Sequence, residues 1–438
     1  MHVCRRWRQI VFASPRRLSL RILCTWRTPV RENLGIWPAF PIDVDDNLQP
    51  DNTLEHNIVA AFTYRNNIFA ALKHPDRVCH IRLTVSPDEL GSIATAMQVP
   101  FPILTQLYLT SLSWCEGTLV LPAGFLEGTA PCLQAIGLSG ISCPALPTIV
   151  SSTRNLVKLE LSNVFPNGYI SPEAIVASLA ALPRLEIFVI KFRLAMSPNR
   201  ISSPPAIRTI LPALAFFVFR GSIEYLEDLV GRIDCPRLHD ISIIYFDKVS
   251  FQVAQLSKFI DLSVGPQLTK CHNTEVRFAH NGVTFTFFHS ANDSDQDRHL
   301  PTIVVSCKAV YWSYASSSQV LRQFPAPLSN TVHLELVNDP EKQYVAGIEW
   351  LRFFHQFSKV QTLLVHQDLA WQVAVTLREI TEEMITELLP SLELICLEGK
   401  WPPLINNFVA PRRRLGYPVT VINTIEEFRE RRESYIRP

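Results

Sequence analysis

The sequence has 438 residues, of which 47% are hydrophobic and 18% are charged, and its formal net charge is +1. This apolar content can bury a large core and excludes a globally disordered chain. The near-zero charge excludes a whole-chain field that attracts nucleic acid or an anionic membrane, so neither is expected as a partner. No apolar run approaches the ~18 residues of a membrane span. Ten cysteines without a Cys-x-x-Cys pair predict reduced thiols in a cytoplasmic or nuclear protein.

The chain begins with an amphipathic segment. Its apolar side chains recur at helical spacing, with arginines on the opposite face, and they are Val3, Cys4, Trp7, Ile10 and Val11. Ser14-Pro15 ends this predicted helix. Leu18, Leu20 and Ile22 then alternate with polar residues, which predicts a short strand.

The dominant feature is a six-residue pattern, apolar-x-x-apolar-x-apolar, which we call the hexad. Copies begin at Val78, Leu104, Leu133, Leu156, Leu185, Leu214 and Leu238, and again at Thr331, Val360 and Leu392. The first seven are separated by 26, 29, 23, 29, 29 and 24 residues. Most of these steps match the roughly 20–29 residues of leucine-rich repeats, in which each unit is a short strand and a helix.

Helix-start signals lie between the hexads. Ser86-Pro87-Asp88-Glu89 combines an N-cap serine, a proline at the first helical position and a capping-box glutamate, and it predicts a helix to about Met97. Ser171-Pro172-Glu173 predicts another, over 174–182. Apolar spacing predicts helices over 222–233 and 348–357. Strand and helix alternating at a steady step predict an α/β fold: a leucine-rich-repeat solenoid, in which a curved parallel sheet has its helices on the outside.

Residues 244–330 interrupt the pattern. Residues 274–279 and 283–287 alternate with period two around His280-Asn281-Gly282, which predicts a β-hairpin. A polar loop, 290–298, and an apolar run, 303–307, follow. We interpret the region at about 270–310 as a hairpin and loop inserted in the array.

Both ends of the sequence resemble one protein family. Val3-Cys4-Arg5-Arg6-Trp7-Arg8, followed by a proline-containing turn and Leu18-x-Leu20, is similar to the last helix of an F-box. Phe357–Val360, Leu388–Leu392 and Phe408–Arg412 are similar to the C-terminal regions of mushroom-type fungal F-box proteins. The resemblance implies substrate recognition in a Skp–cullin–F-box ubiquitin ligase, with a Skp-family adaptor and an unknown protein substrate as partners.

The resemblance also suggests an organisation of the chain. Residues 1–25 correspond to a partial F-box, 26–77 to a helical cap or linker, 78–400 to the repeat array, and 401–438 to a C-terminal cap with a charged tail. Because only the third F-box helix is present in this sequence, we expect weak docking on the adaptor. The alternative is a freestanding leucine-rich-repeat binding protein that has lost this docking. In either case we expect a monomer outside the complex.

The hexad also predicts a partner surface. Its apolar positions point into the core, whereas its second, third and fifth positions face the concave side of the array. We expect Ile187, Val189, Phe216 and Val218 to form an apolar patch there, beside Tyr108, Lys158 and Glu160. In the alternative, a loop or the C-terminal segment of the chain itself covers the patch.

No motif for catalysis is evident. The sequence lacks Gly-x-Gly-x-x-Gly, a phosphate-binding loop, His-Glu-x-x-His and Gly-x-Ser-x-Gly. We therefore expect no catalytic residue, no cofactor and no metal, although an enzyme using the hairpin region is a third hypothesis. Cys271 and the histidines near it are interpreted as loop residues, and the basic clusters at Arg412–Arg414 and 429–432 as solvated helix.

Overall fold

The computed structural model describes residues 6, 10, 20–25, 30–36, 40–45, 58–112, 119–144, 146–194, 207–245, 254–268, 271–279, 282–288, 302–307, 330–338, 350–381, 384–399, 402–428 and 431. The chain forms two compact units. The first comprises Met1–Met196 with Leu211–Leu214, and the second Ser197–Ile210 with Ala215–Pro438. Both are α/β, with a mostly parallel sheet. None of the described helices is both long and apolar enough to span a bilayer.

The described sheet of the first unit is entirely parallel, in the order β1-β2-β3-β4-β6-β8-β9. The strands of this unit, including the separate pair β5 and β7, are β1 (Ile22–Cys24), β2 (Ile42–Asp45), β3 (Val78–Val85), β4 (Gln106–Ser111), β5 (Leu119–Val120), β6 (Ala135–Ser139), β7 (Ile141–Ser142), β8 (Lys158–Val164) and β9 (Ile187–Phe192). Its helices are α1 (Val30–Ile36), α2 (Ile58–Leu72), α3 (Pro87–Ala96), α4 (Leu146–Ser152) and α5 (Pro172–Leu179), with 3-10 turns at Phe125–Gly128 and Pro166–Gly168.

The sheet of the second unit has the order β11-β13-β16-β15-β14-β17-β18-β19-β20, in which β15 runs antiparallel to both neighbours. The strands, including the separate pair β10 and β12, are β10 (Thr209–Ile210), β11 (Phe216–Gly221), β12 (Ile233–Asp234), β13 (Asp240–Tyr245), β14 (Asn273–Ala279), β15 (Gly282–Phe288), β16 (Thr302–Cys307), β17 (His333–Asn338), β18 (Thr362–Val365), β19 (Leu394–Leu397) and β20 (Thr420–Ile422). The helices are α6 (Ile223–Val230), α7 (Ala254–Ser263), α8 (Gly265–Leu268), α9 (Trp350–Phe354), α10 (Gln367–Arg378) and α11 (Asn406–Arg414), with a 3-10 turn at Pro402–Ile405.

The hexads pair in the register that their alignment predicts. In the first unit the fourth residues of successive hexads are cross-strand neighbours: Ile81, Leu107, Ile136, Leu159 and Phe188. In the second unit Phe217 pairs with Ile241, and Leu334, Leu363 and Ile395 pair in turn. All of these side chains are buried. Burial of one face fixes the register, because a slip by one residue would turn every apolar side chain to the other face.

The predicted helix starts are confirmed. Ser86 Oγ accepts a hydrogen bond from the Glu89 amide at 3.5 Å and donates one to Glu89 Oε2 at 3.0 Å. The serine therefore caps the helix as predicted, and the glutamate bonds the serine hydroxyl. Ser171 Oγ accepts from the Ala174 amide at 3.3 Å. Both helices have proline at their first position. The cap of α3 directly follows the last residue of β3, Val85, and so it limits where that strand can end.

The sheet extends beyond the predicted array at both ends. Of the strand predicted over 18–22, Ile22 lies in β1 (Ile22–Cys24), Leu20 and Arg21 precede that strand, and residues 18 and 19 lie outside the described residues. Strand β1 pairs with β2, which lies in the segment interpreted as a helical cap. At the other end β20, which lies in the predicted C-terminal cap, pairs with β19. These strands have three or four residues, so they are too short to carry the six-residue pattern by which strands were identified.

The predicted hairpin is present and belongs to the sheet. Strands β14 and β15 pair antiparallel, with Ala279 opposite Gly282, and residues 280 and 281 lie outside the described residues. The apolar run 303–307 forms β16, which pairs with β15 on one side and with β13 on the other. Strand β14 pairs with β17. The hairpin is therefore a structural part of the sheet rather than an addition beside it.

Arg412 corrects the interpretation of the basic cluster. Its side chain is fully buried and donates hydrogen bonds of 2.8–3.4 Å to five carbonyl oxygens, those of Ile385, Leu388, Leu389, Pro390 and Leu392. Arg413 and Arg414 are exposed, as predicted. A planar guanidinium has several donors in a fixed arrangement, so Arg412 binds the carbonyl groups of the turns before β19 together.

Candidate functional site

The candidate site is one face of the sheet in the first unit. We use "open face" for the side of β3, β4, β6 and β8 that carries Arg82, Tyr108, Gly137, Lys158 and Glu160. Arg82, Tyr108, Gly137 and Glu160 are successive cross-strand neighbours. Strand side chains alternate between two faces, and the alternate residues on these strands are the buried hexad positions. The parallel register therefore places residues from four repeats in one row.

Tyr108 is the centre of the open face. The Arg82 Cζ atom lies 5.0 Å from the centroid of the Tyr108 ring, and Lys158 Nζ lies 5.3 Å from it. Both distances are within the range of cation–π attraction. The ring covers Gly137, where an added Cβ would clash with Tyr108 Cδ1. Gly137 thus provides the space in which the ring lies flat on the sheet.

An ion pair adjoins the aromatic ring. Lys158 Nζ lies 3.1 Å from Glu160 Oε2, and both side chains are about 30% exposed, at 31% and 29%. Ser162 Oγ donates to Glu160 Oε1 at 3.1 Å. Partial burial opposes ionisation of both groups, but their hydrogen bond and mutual attraction prevail, so the pKa of Lys158 is raised and that of Glu160 is lowered. Both groups remain charged at neutral pH, so the open face can bind ionic and hydrogen-bonding partners.

A row of hydroxyl groups borders these residues. Thr84, Thr110, Ser139 and Ser162 are successive cross-strand neighbours on β3, β4, β6 and β8. Asn163, whose φ is +51°, donates from Nδ2 to Ser139 Oγ at 3.0 Å. Hydroxyl groups both donate and accept hydrogen bonds. This row gives the open face neutral polar groups beside its charged ones.

A second cluster lies on the first strands of the unit. Asp43 Oδ1 lies 2.9 Å from Cys79 Sγ and 3.2 Å from His80 Nδ1, and Arg21 Nη1 lies 3.1 Å from both carboxylate oxygens. Burial alone would raise the pKa of Asp43, but hydrogen bonds from His80 and Cys79 and the positive charges of His80 and Arg21 lower it. Burial, together with Asp43, raises the pKa of Cys79 to about 12.

Sequence reasoning missed this cluster and Arg82. Cys79, His80 and Arg82 occupy the second, third and fifth positions of the first hexad, so the rule that selected Tyr108 would also have selected them. Asp43 and Arg21 lie on or beside short strands that carry no hexad. Among the described residues, Asp43, Cys79 and His80 form one group of potential metal ligands, whereas the sequence had predicted no metal.

The predicted apolar patch is divided between the two units. Ile187 and Val189 lie on β9 in the first unit, and Phe216 and Val218 lie on β11 in the second. Val189 is buried, contrary to expectation. Its cross-strand neighbour is Glu160, and a short side chain beside a longer one on the same face is readily covered. The other three residues are partly exposed.

In the second unit Phe216 has a polar neighbour. Its ring packs edge-on against His239, with 4.7 Å between the ring centroids. Further along the same sheet His366 Nε2 lies 2.8 Å from Glu335 Oε1, and His366 Nδ1 lies 3.7 Å from Glu398 Oε2. The hydrogen bond to Glu335 raises the pKa of His366, although burial opposes it.

The end of this sheet is covered by the chain itself. Leu364, Leu394 and Cys396 pack with Ile422 and Phe428 in one buried cluster, against which Ile425 also packs. Residues 425–428 form a helical turn. The C-terminal segment thus covers β18 and β19. Such a cover was the alternative interpretation of the apolar patch, but the segment lies on these other strands.

The N-terminal residues predicted to face the adaptor lie mostly outside the described part of the chain, and they are Val3, Cys4, Trp7 and Val11. Ile10 is helical and 54% exposed. An exposed apolar side chain is consistent with a partner at this helix but does not identify one.

No protein-family model matches the chain, and a search of curated proteins gives no significant match.

Proposed function

We propose that this protein is a protein-interaction scaffold, the substrate-recognition subunit of a Skp–cullin–F-box type ubiquitin ligase. In this proposal the parallel array is a leucine-rich-repeat solenoid, the N-terminal helix is part of an F-box, and the open face binds the protein substrate. No residue of the chain is catalytic in this scheme, because the ubiquitin-transfer chemistry belongs to partner subunits.

The observation that carries the proposal is the row of side chains on the open face. Four successive hexads contribute Arg82, Tyr108, Gly137 and Glu160 in register. An aromatic ring between two cations, next to a carboxylate and a row of hydroxyls, suits recognition of a polar protein segment. Tyrosine and arginine are also the residue types that most often dominate binding energy at interfaces.

Two variants test the two halves of the proposal separately. We expect Tyr108→Ala to reduce substrate capture at least tenfold while leaving association with the Skp adaptor unchanged. Trp7→Ala should weaken association with the Skp adaptor and leave substrate capture unchanged, since Trp7 belongs to the F-box-like motif. Lys73→Ala, which removes an exposed cation elsewhere, is the matched control.

The measurement is quantitative affinity capture followed by ubiquitylation of the captured protein in a reconstituted reaction with adaptor and cullin. Loss of ubiquitylation with Tyr108→Ala, but not with Lys73→Ala, supports the ligase function. If the wild-type chain does not bind the adaptor but Tyr108→Ala still loses its partner, the freestanding binding protein is the correct alternative. If Tyr108→Ala captures as well as wild type, the open face is not the binding site.

A further inference from the structure

The cluster of Asp43, Cys79 and His80 depends on an irregularity in strand pairing. Ile42 pairs with Val78, but Asp43 pairs with His80, so Cys79 is an extra residue in β3. Consecutive residues of a regular strand point to opposite faces. A bulge changes the direction of one side chain and is common next to functional sites. Here it lets both Cys79 and His80 reach the Asp43 carboxylate.

The three side chains supply the donor atoms of a transition-metal site. One ligand atom from each, namely a carboxylate oxygen, the thiol sulfur and an imidazole nitrogen, lies within 4.8 Å of the other two. Around a tetrahedral zinc ion with bonds of about 2.0–2.3 Å, ligand atoms are roughly 3.3–3.5 Å apart. The observed separations from Asp43 Oδ1 are 2.9 Å to sulfur and 3.2 Å to nitrogen, so they need to widen by roughly 0.6 Å and 0.1 Å.

A cation already occupies the centre of this arrangement. Arg21 Nη1 lies 3.1 Å from Asp43 Oδ1, 2.8 Å from His80 Nδ1 and 3.7 Å from Cys79 Sγ. The Arg21 side chain is 37% exposed, and the residue precedes β1 rather than lying in it. It can therefore turn into solvent without disturbing the sheet. Its position marks the point at which three electron-donating groups converge on one positive charge.

We propose that Asp43, Cys79 and His80 bind a divalent transition-metal ion of the zinc class, and that Arg21 is the competing cation that the metal displaces. Sulfur and imidazole donors select zinc-like ions over magnesium or calcium, which prefer oxygen ligands. Three protein ligands leave a fourth position for water or for a side chain of a bound partner. The site is independent of the proposed ligase function.

Cobalt(II) is the probe, because a bound thiolate gives it an intense sulfur-to-metal charge-transfer band and tetrahedral coordination intensifies its visible bands. The full-length chain is titrated with Co²⁺ under reducing conditions, and Zn²⁺ is then added to displace it. We expect the wild-type chain to show both bands and Cys79→Ser to lose the charge-transfer band. Cys132→Ser, which changes an exposed cysteine elsewhere, should keep it.

Arg21→Ala provides the sharper test. If the guanidinium competes with the metal, this variant should bind Co²⁺ at least tenfold more tightly than wild type. Circular dichroism of each variant verifies that it is folded. The absence of a charge-transfer band in both wild type and Arg21→Ala would overturn the proposal, as would a band of undiminished intensity in folded Cys79→Ser.

Discussion

The two units differ in the residues that their strands carry at the fifth position of the hexad. The fifth position is Tyr108, Gly137 and Glu160 on β4, β6 and β8, but Leu364 and Cys396 on β18 and β19. The first three residues belong to the open face, whereas the last two are buried beneath the C-terminal segment. On β18 and β19 the fifth position is apolar and is covered by the chain itself, whereas on β4 and β8 it is polar and stays partly exposed. Covering apolar side chains stabilises the fold at about 25 cal/mol per Å² of apolar surface removed from water.

The largest expected effect is at Arg412, which supports the covered end. Arg412→Ala removes the guanidinium that donates to five carbonyl oxygens, and it should lower the free energy of unfolding by about 3–5 kcal/mol. Arg413→Ala is the matched control, because Arg413 is exposed, and it should change stability by less than about 0.5 kcal/mol. Urea denaturation measures both. Equal effects would mean that the buried hydrogen bonds contribute nothing specific.

The next effect is the removal of the cover itself. Phe428→Ala deletes a ring that packs on Leu364 and Cys396, and we expect a loss of about 3 kcal/mol. Glu426→Ala, on the exposed side of the same helical turn, should be nearly neutral. Hydrogen exchange should show faster exchange of amides in β18 and β19 for Phe428→Ala alone. Unchanged protection would show that the segment does not hold this end of the sheet.

A smaller effect on stability, but a clear one on binding, is expected at Gly137. An alanine Cβ there would displace the Tyr108 ring, which is partly exposed and free to move outward. Substrate capture by Gly137→Ala should therefore fall about tenfold, equivalent to about 1.4 kcal/mol of binding free energy, while the thermal midpoint changes little. Capture equal to wild type would mean that the position of the Tyr108 ring is unimportant.

The smallest effect is a pH dependence in the second unit. The pKa of His366 is raised in the folded protein, chiefly by its hydrogen bond to Glu335. The folded state then binds the proton more tightly than the unfolded state, so this stabilisation is complete below about pH 6.5 and is lost as the pH rises through the folded pKa. The thermal midpoint should fall when the pH is raised from 6 to 8.5, and this fall should be larger for the wild type than for His366→Asn. A parallel fall in both proteins would contradict this assignment.

Much of the fold was predictable because each hexad is recognised within six residues and also determines which residues of neighbouring strands pair. Leu107, Ile136 and Leu159 were aligned by their spacing alone, and they are cross-strand neighbours. Ser86 and Ser171 were identified as helix caps by the residues that follow them, and the hairpin by its alternation. In each case the signal lies within a few residues and is strong enough to determine the local geometry.

The remaining features depend on residues distant in sequence. Strand β16 pairs with β13, although the two hairpin strands β14 and β15 lie between them in sequence. The meeting of Arg21, Asp43 and Cys79 depends on a bulge that no local pattern reveals. Arg412 was interpreted as solvated because three consecutive arginines show a charge run but not which member faces inward. Such features follow from tertiary pairing rather than from local periodicity.

The end strands β1 and β20 have one further consequence. Each has only three residues, whereas the interior strands β3 and β8 have eight and seven. A sheet that ends in a long bare strand offers a ladder of amide and carbonyl groups on which another molecule can add, and short end strands are a common defence against such self-association. Short end strands of this kind leave few unpaired backbone groups on which a second chain could add.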